Sequence, residues 1–274
     1  MIYSEDCNIE APKLTDFNVP DKRAHLFIHY VKICEIFGHL SKLWRGQADI
    51  TRHSTLQQQL VDWINDIPPE LKLYDANGVL QSHDVNICQL YLMYFGGICL
   101  LYRSERLSSV SYAPTMASSC IARIFEELLE RKYIPRLQAI CSWFIMASLA
   151  SQVPCLVDDG LAAIAKHEIG ILEMACEECA VYWPTARTRM IRLRKILERS
   201  QVDLPLRQNA DNVVSMNGSG SLFSLVDESA LFPFPSDVCA KYKILTERHN
   251  SNNSLGTLAS ELWNENVWDD FGFE

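Results

Sequence analysis

The stretch SSCIARIFEELLERK, residues 118–132, carries the reading of the whole chain. Ile121, Ile124, Phe125, Leu128 and Leu129 recur at steps of three and four, opposite Arg123, Glu126, Glu127, Glu130 and Arg131. That spacing makes one apolar stripe and one solvated face, the pattern of a core-facing helix and not of a strand. Pro114-Thr115 just upstream suits the first turn of such a helix.

The same period extends on both sides. Over residues 23–44, Leu26, Phe27, Tyr30, Val31, Ile33, Cys34, Ile36, Phe37, Leu40 and Leu43 predict a helix. Leu56, Leu60, Trp63 and Ile64 predict a second, stopped by Pro68-Pro69, because a proline ring restricts the residue before it. Asp75-Ala-Asn-Gly78 reads as a turn, and Ser82 or Asp84 can cap a helix running to about Arg103. That helix is apolar nearly all round and is expected at the centre of the core. Gly96-Gly97 within it costs about 1 kcal/mol per glycine relative to alanine, and close packing is the expected compensation.

Residues 137–152 predict a further apolar helix, ended by Pro154, and Asp158-Asp159 opens another that Trp183-Pro184 interrupts. A last helix over 185–199 sets Met190, Leu193, Ile196 and Leu197 against a basic face. No stretch shows sustained two-residue alternation, so no strands are expected. The fold class expected is all-α: an irregular helical bundle with a largely disordered C-terminal tail.

At 274 residues the chain can bury a sizeable core, with 48% hydrophobic and 22% charged residues. The net charge of −9 argues against a nucleic-acid surface spread over the chain, since phosphate binding needs clustered Lys and Arg. Residues 201–274 hold 11 acidic and 4 basic side chains, a net of −7. Asn217-Gly-Ser-Gly-Ser221, Pro233-Phe-Pro235 and Asn250-Ser-Asn-Asn-Ser254 are linker chemistry. Three regions are therefore expected: an extended lead-in over 1–20, a helical domain over 21–200, and a disordered acidic linker and tail over 201–274.

Ten cysteines are scattered through apolar segments, and the N-terminal residues MIYSEDCNIE lack a secretory signal pattern. Both suit a reducing compartment in which free cysteine serves as a small core residue. The longest apolar run ends at Arg103, too short to span a membrane, so none is expected.

Cys176 and Cys179 form a CxxC pair, with His167 nine residues before Cys176. A structural zinc site needs a second ligand pair at matching spacing, so a helical pair of buried thiols is the preferred reading. His25 and His29 share a helix face without a carboxylate at matching spacing and read as ordinary surface or boundary residues. No HExxH motif, phosphate-binding glycine loop or nucleophile elbow occurs, and the chain is read as not an enzyme. The basic run from Arg187 to Lys195 is either a nucleic-acid or nuclear-import patch or a solvated helix end, and the regular apolar face favours the second.

The final stretch, ELWNENVWDDFGFE (261–274), places Leu262, Trp263, Val267, Trp268, Phe271 and Phe273 among Glu261, Glu265, Asp269, Asp270 and Glu274. Acidic residues interleaved with aromatics are the composition of amphipathic activation segments, where carboxylate repulsion keeps apolar side chains available. These six residues are the candidate partner-binding site. The alternative is a tail that docks on the bundle and covers its apolar surface.

Several stretches together resemble a known family. IYSEDCNIEAPKLTDF (2–17) is similar to the acidic DxDCDxxxLTxxDF stretch in the middle homology region of fungal zinc-cluster transcription factors. The branch most similar is that of cutinase transcription factor 1 beta. LVDWINDIPPEL (60–71) resembles that family's LxxWxxxLPPEL, LYLMYFGGICLLYR (90–103) its LHxxYYxxxxLLHRP, and SSCIARIFEELLERK its following CxxAAxxIxxLxxxL. The order is kept from residue 2 to about 200.

The resemblance implies a nuclear, helical regulatory domain, the C-terminal part of a factor controlling RNA polymerase II transcription of metabolic or biosynthetic genes. It implies contacts with a coactivator or the transcription machinery through the tail, and a homodimer. DNA and zinc would be held by a six-cysteine module that nothing in this sequence matches, so no cofactor is expected in this chain. Tyr102 and Ser104 stand where the family's turn has His and Pro. The helices that precede these in the family are missing here, so the domain is expected to be incomplete, and residues 20–200 alone to be poorly stable or to self-associate. The alternative function is a non-DNA-binding accessory or dominant-negative interaction protein derived from such a factor.

Overall fold

A computed structural model of the chain describes residues 10–44, 50–75, 84–102, 110–191 and 227–253. Among them are eight α-helices and no β-strand. The helices are α1 (Lys22–Trp44), α2 (Ile50–Asn65), α3 (Val85–Leu101), α4 (Tyr112–Glu130), α5 (Cys141–Gln152), α6 (Ala162–Tyr182), α7 (184–191) and α8 (Tyr242–Asn253). The fold is the all-α irregular bundle that the periodicity predicts. No helix of the described residues is long and apolar enough to cross a membrane.

Local chemistry sets the helix ends. Asp84 caps α3 by accepting the Asn86 N–H at 3.0 Å. Asp158 accepts the N–H groups of Gly160 and Leu161 at 3.0 and 3.1 Å and so opens α6. Each carboxylate fills backbone donors that a helix start leaves without partners. Pro68-Pro69 ends α2 and leads into a 3-10 turn, Pro69–Leu71, whose Leu71 is fully buried. The helix expected from residue 137 begins at Cys141, because the Gln138 N–H is held by Gln89 Oε1 at 2.9 Å.

α3 lies in the middle, packed against α1, α2, α4 and α5 and buried on nearly every side. Trp63 of α2 stacks on Tyr94 of α3 with ring centroids 5.2 Å apart, and its Nε1–H donates to the His29 carbonyl of α1 at 3.2 Å. One indole thus ties three helices together. Gly96 meets the face of Phe144 from α5, and Gly97 meets Phe37 and Leu60; a side chain on Gly96 would overlap the ring. The close approach expected at this glycine pair is present, and it sets the distance between α3 and α5.

Two expected boundaries change. The lead-in over 1–20 is not wholly extended: Leu14–Asp16 forms a 3-10 turn, and Phe17 packs edge-on against Phe27 with centroids 6.0 Å apart. The domain does not end near residue 200 either. Residues 227–253, expected within a disordered linker, form a 3-10 turn (Glu228–Leu231) and α8, and bury Leu231, Phe232, Val238, Cys239 and Leu245 in the common core. Their proline and asparagine content reads as linker, but Leu231, Phe232 and Phe234 pack into or against the core. The activation-segment residues Leu262, Trp263, Val267, Trp268, Phe271 and Phe273 lie outside the described residues, as does the turn at 75–78 beyond its first residue.

Candidate functional site

The chemistry of the described residues concentrates where the 227–253 segment meets the bundle. Lys241, one residue before α8, is fully buried, as is Gln152 of α5, and Glu168 of α6 is 4% exposed. Lys241 Nζ donates to Glu168 Oε2 at 2.7 Å and also to Gln152 Oε1. Gln152 Nε2 donates to the same Glu168 oxygen at 2.6 Å, and Ser119 Oγ of α4 donates to Glu168 Oε1. Two helices, α5 and α6, therefore meet one ammonium group supplied from a distant segment, and a third, α4, holds its Glu168 partner.

Burying either charge alone would be costly, and the pair is tolerated only because each oxygen and each amide group of the set has a partner. What the arrangement does is fix a position: only one register of the 227–253 segment places an ammonium opposite Glu168.

Outer contacts repeat that register. Arg248 grips Asp158 through two hydrogen bonds of 2.6 and 3.0 Å, and its guanidinium holds the Asp158 carboxyl below the usual range. Glu228 accepts the Ala113 N–H at 3.2 Å, supplying the first turn of α4 with a cap from 115 residues away. Tyr94 O–H donates to the Leu231 carbonyl at 2.7 Å. His249 stacks on Tyr112 at 4.2 Å and faces Asp227 at 3.5 Å. Asp227 is itself held low by the Ser229 hydroxyl and N–H.

Comparison with protein-family models, with curated proteins and with solved structures gives no match.

The remaining sequence candidates are dispersed. Cys176 and Cys179 lie buried on α6, and Cys176 Sγ points to the Ala186 carbonyl at 3.7 Å. His167, 71% exposed at its side chain, faces Glu126 at 3.8 Å, away from that interior pair. Among the described residues no group of three or more His, Cys, Asp or Glu could hold a metal ion, and the pair does not fit a six-cysteine cluster. His25 faces Glu70 at 3.6 Å, while His29, expected at a surface or boundary, is buried at 4% exposure against Trp63. Of the basic run, Arg189 donates to Ser142 Oγ, and residues from 192 onward lie outside the described set.

Sequence reading misses the Lys241 site. The available signal is a polar residue within an apolar stripe: Glu168 sits between Leu161, Ala165 and Leu172, Ala175 at helical spacing. Such an interruption marks a buried carboxylate that needs a cation, but sequence does not say which one.

Proposed function

We propose that this chain is a non-catalytic regulatory module of the fungal zinc-cluster transcription-factor type, acting in the nucleus on RNA polymerase II transcription of metabolic or biosynthetic genes. In this reading the helical domain is the regulatory body. The tail residues Leu262, Trp263, Val267, Trp268, Phe271 and Phe273 contact a coactivator or the transcription machinery. DNA and zinc belong to a module outside this chain, and a homodimer is the expected assembly.

The observation that supports the reading is where the family-like residues fall. Trp63 and Leu71 of the LVDWINDIPPEL stretch, and Tyr91, Tyr94 and Phe95 of the LYLMYFGGICLLYR stretch, are buried together in one core. Trp63 lies within 6.5 Å of the Tyr91 ring and 5.2 Å of the Tyr94 ring. Stretches that resemble a family at separate places in the sequence thus serve one structural purpose. Acidic, aromatic composition beyond α8 supports the tail's role.

The test is a reporter assay in a fungal host, with the full chain and residues 254–274 each fused to a heterologous DNA-binding domain. Activation by both fusions, abolished by replacing Trp263 and Trp268 with Ala, is the expected result. Silence of both fusions at normal protein levels would overturn the reading.

A further inference from the structure

α1 is apolar on two sides. Ala24, Ile28, Ile33, Ile36 and Leu40 form the buried side, which packs on α2 and α3. The opposite side carries Phe27, Val31, Cys34 and Gly38 at steps of four, three and four, the spacing that lines up residues along a helix meeting another helix. Phe27 stays 52% exposed although Phe17 rests against it, Cys34 is exposed and Val31 is partly buried. No atom lies within 4 Å of the point a Cβ on Gly38 would occupy. A helix apolar on opposite sides is one that suits cover on both.

We propose that this stripe is the surface on which two copies of the chain pair, their α1 helices antiparallel across a two-fold axis between Lys32 and Ile33. This names a surface for the homodimer of the reading above and rests on that reading for nothing else.

Size and charge both select a second copy in that orientation. A two-fold interface must be complementary to itself. With the axis between Lys32 and Ile33, Phe27 lies over Gly38 of the second copy and Val31 over its Cys34, and the reverse pairs complete the stripe. The largest side chain thus meets the one position that has none, as close packing requires. A parallel pair would set Phe27 on Phe27 and leave a void at Gly38.

Lys32 and Glu35 are exposed along one border of the stripe. Antiparallel helices bring Glu35 beside Lys32 of the second copy, whereas parallel helices set like charges side by side. Lys32 also holds Asp66 at 2.6 Å, so this border pair sets orientation more than it adds affinity. The exposed apolar residues of α6 lack such self-complementarity: Met174, Val181 and Tyr182 are interleaved with Glu173, Glu177 and Glu178, which would repel their own copies.

From Phe27 to Gly38 the stripe runs about 17 Å at 1.5 Å per residue. Leu14 and Val19, exposed on the lead-in whose Phe17 touches Phe27, extend it. Such a strip is small beside the roughly 800 Å² per partner of a standard interface, so the dimer is a weak one that dissociates on dilution.

The test uses the purified, reduced full chain in a sedimentation-equilibrium dilution series, and treats it with bismaleimidoethane, a short thiol-to-thiol cross-linker. Cys34 is exposed and the other cysteines among the described residues are buried, so Cys34 reports on this face. The expected result is a monomer–dimer equilibrium and a cross-linked dimer whose joined peptides both contain Cys34. Gly38→Leu, for which the monomer has room, blocks Phe27 of the second copy and should weaken the dimer by about tenfold or more, with the fold retained by circular dichroism. Val31→Glu should do the same, whereas Val181→Glu, at a position of α6 that is 73% exposed, should leave the dimer unchanged. A chain that stays monomeric throughout, a dimer that Gly38→Leu and Val31→Glu leave intact, or one joined only through other cysteines would overturn the proposal. Those outcomes leave the reporter assay standing, since it reads the tail, and a silent reporter leaves the dimer standing.

Discussion

Lys241 donates to Glu168 at 2.7 Å across 73 residues of sequence, and both side chains are buried. Removing one partner leaves the other as an unpaired interior charge, which costs about 3–5 kcal/mol. Lys241→Met is therefore expected to lower the urea midpoint sharply. Adding Glu168→Gln should recover much of the loss, because a neutral amide can still bond Ser119 and Gln152. The check is a double-mutant cycle by urea denaturation; additive losses would show that the two residues do not act as a pair.

A chain ending at residue 226 loses Leu231, Phe232, Val238 and Leu245 from the core and leaves Tyr94 and Phe95 facing solvent along one side. Each of those four side chains, when fully buried, contributes about 1.5–3 kcal/mol. The shortened chain is expected to melt at a lower temperature, bind a hydrophobic dye and self-associate, as measured by light scattering. A monomer with an unchanged, reversible melt would contradict the claim that the segment completes the fold.

The contrast between α3 and α8 shows what a sequence can carry. The helix of residues 85–101 is apolar on all sides, capped by Asp84 and preceded by a turn signal, so its existence and its central place are local information. α8, YKILTERHNSNN, is polar, ends in asparagines and has no strong stripe; it is held by Lys241 to Glu168, Arg248 to Asp158 and His249 to Tyr112. All three of those partners are at least 73 residues away in sequence, and a local window cannot register them. The same limit applies to Glu228 as the cap of α4. The Gly96-Gly97 pair is an intermediate case, since close approach is predictable from the glycines but Phe144 as the neighbour is not.

That neighbour makes Gly96 a sharp probe. A Cβ placed there would lie 2.8 Å from Phe144 Cε1, inside van der Waals contact, so the ring or the helix must shift. Overpacking of this kind costs about 1–3 kcal/mol, and Gly96→Ala should lower the Tm even though alanine is the better helix former. Phe144→Leu in the same chain should return part of the loss. Gly170, on α6, has open space around it, with no neighbouring atom within 4 Å of the point a Cβ would occupy. Gly170→Ala is expected to raise stability by about 0.5–1 kcal/mol, and thermal melts of the three variants check both signs.

Acid should destabilise the fold in two stages. Burial holds His29 and His53 below the ordinary value of 6.5; around His29, Lys32 and His25 act in the same direction, while Asp66 and Glu70 oppose. A histidine with a lowered folded pKa takes up its proton more readily in the unfolded chain, so stability present above about 6.5 is lost as pH falls through that value toward the folded one. Asp158, held low by Arg248, and Asp227, held low by Ser229, behave alike at lower pH: their contribution is present above the ordinary 3.8 and is lost as pH falls through their lowered values. Urea midpoints measured from pH 8 to pH 3 should therefore decline first below about 6.5 and again below about 4. His29→Asn combined with His53→Asn should flatten the first decline, and Arg248→Gln the second. Midpoints that stay level between about pH 7.5 and pH 5 would show that neither buried imidazole has to be protonated for the chain to unfold.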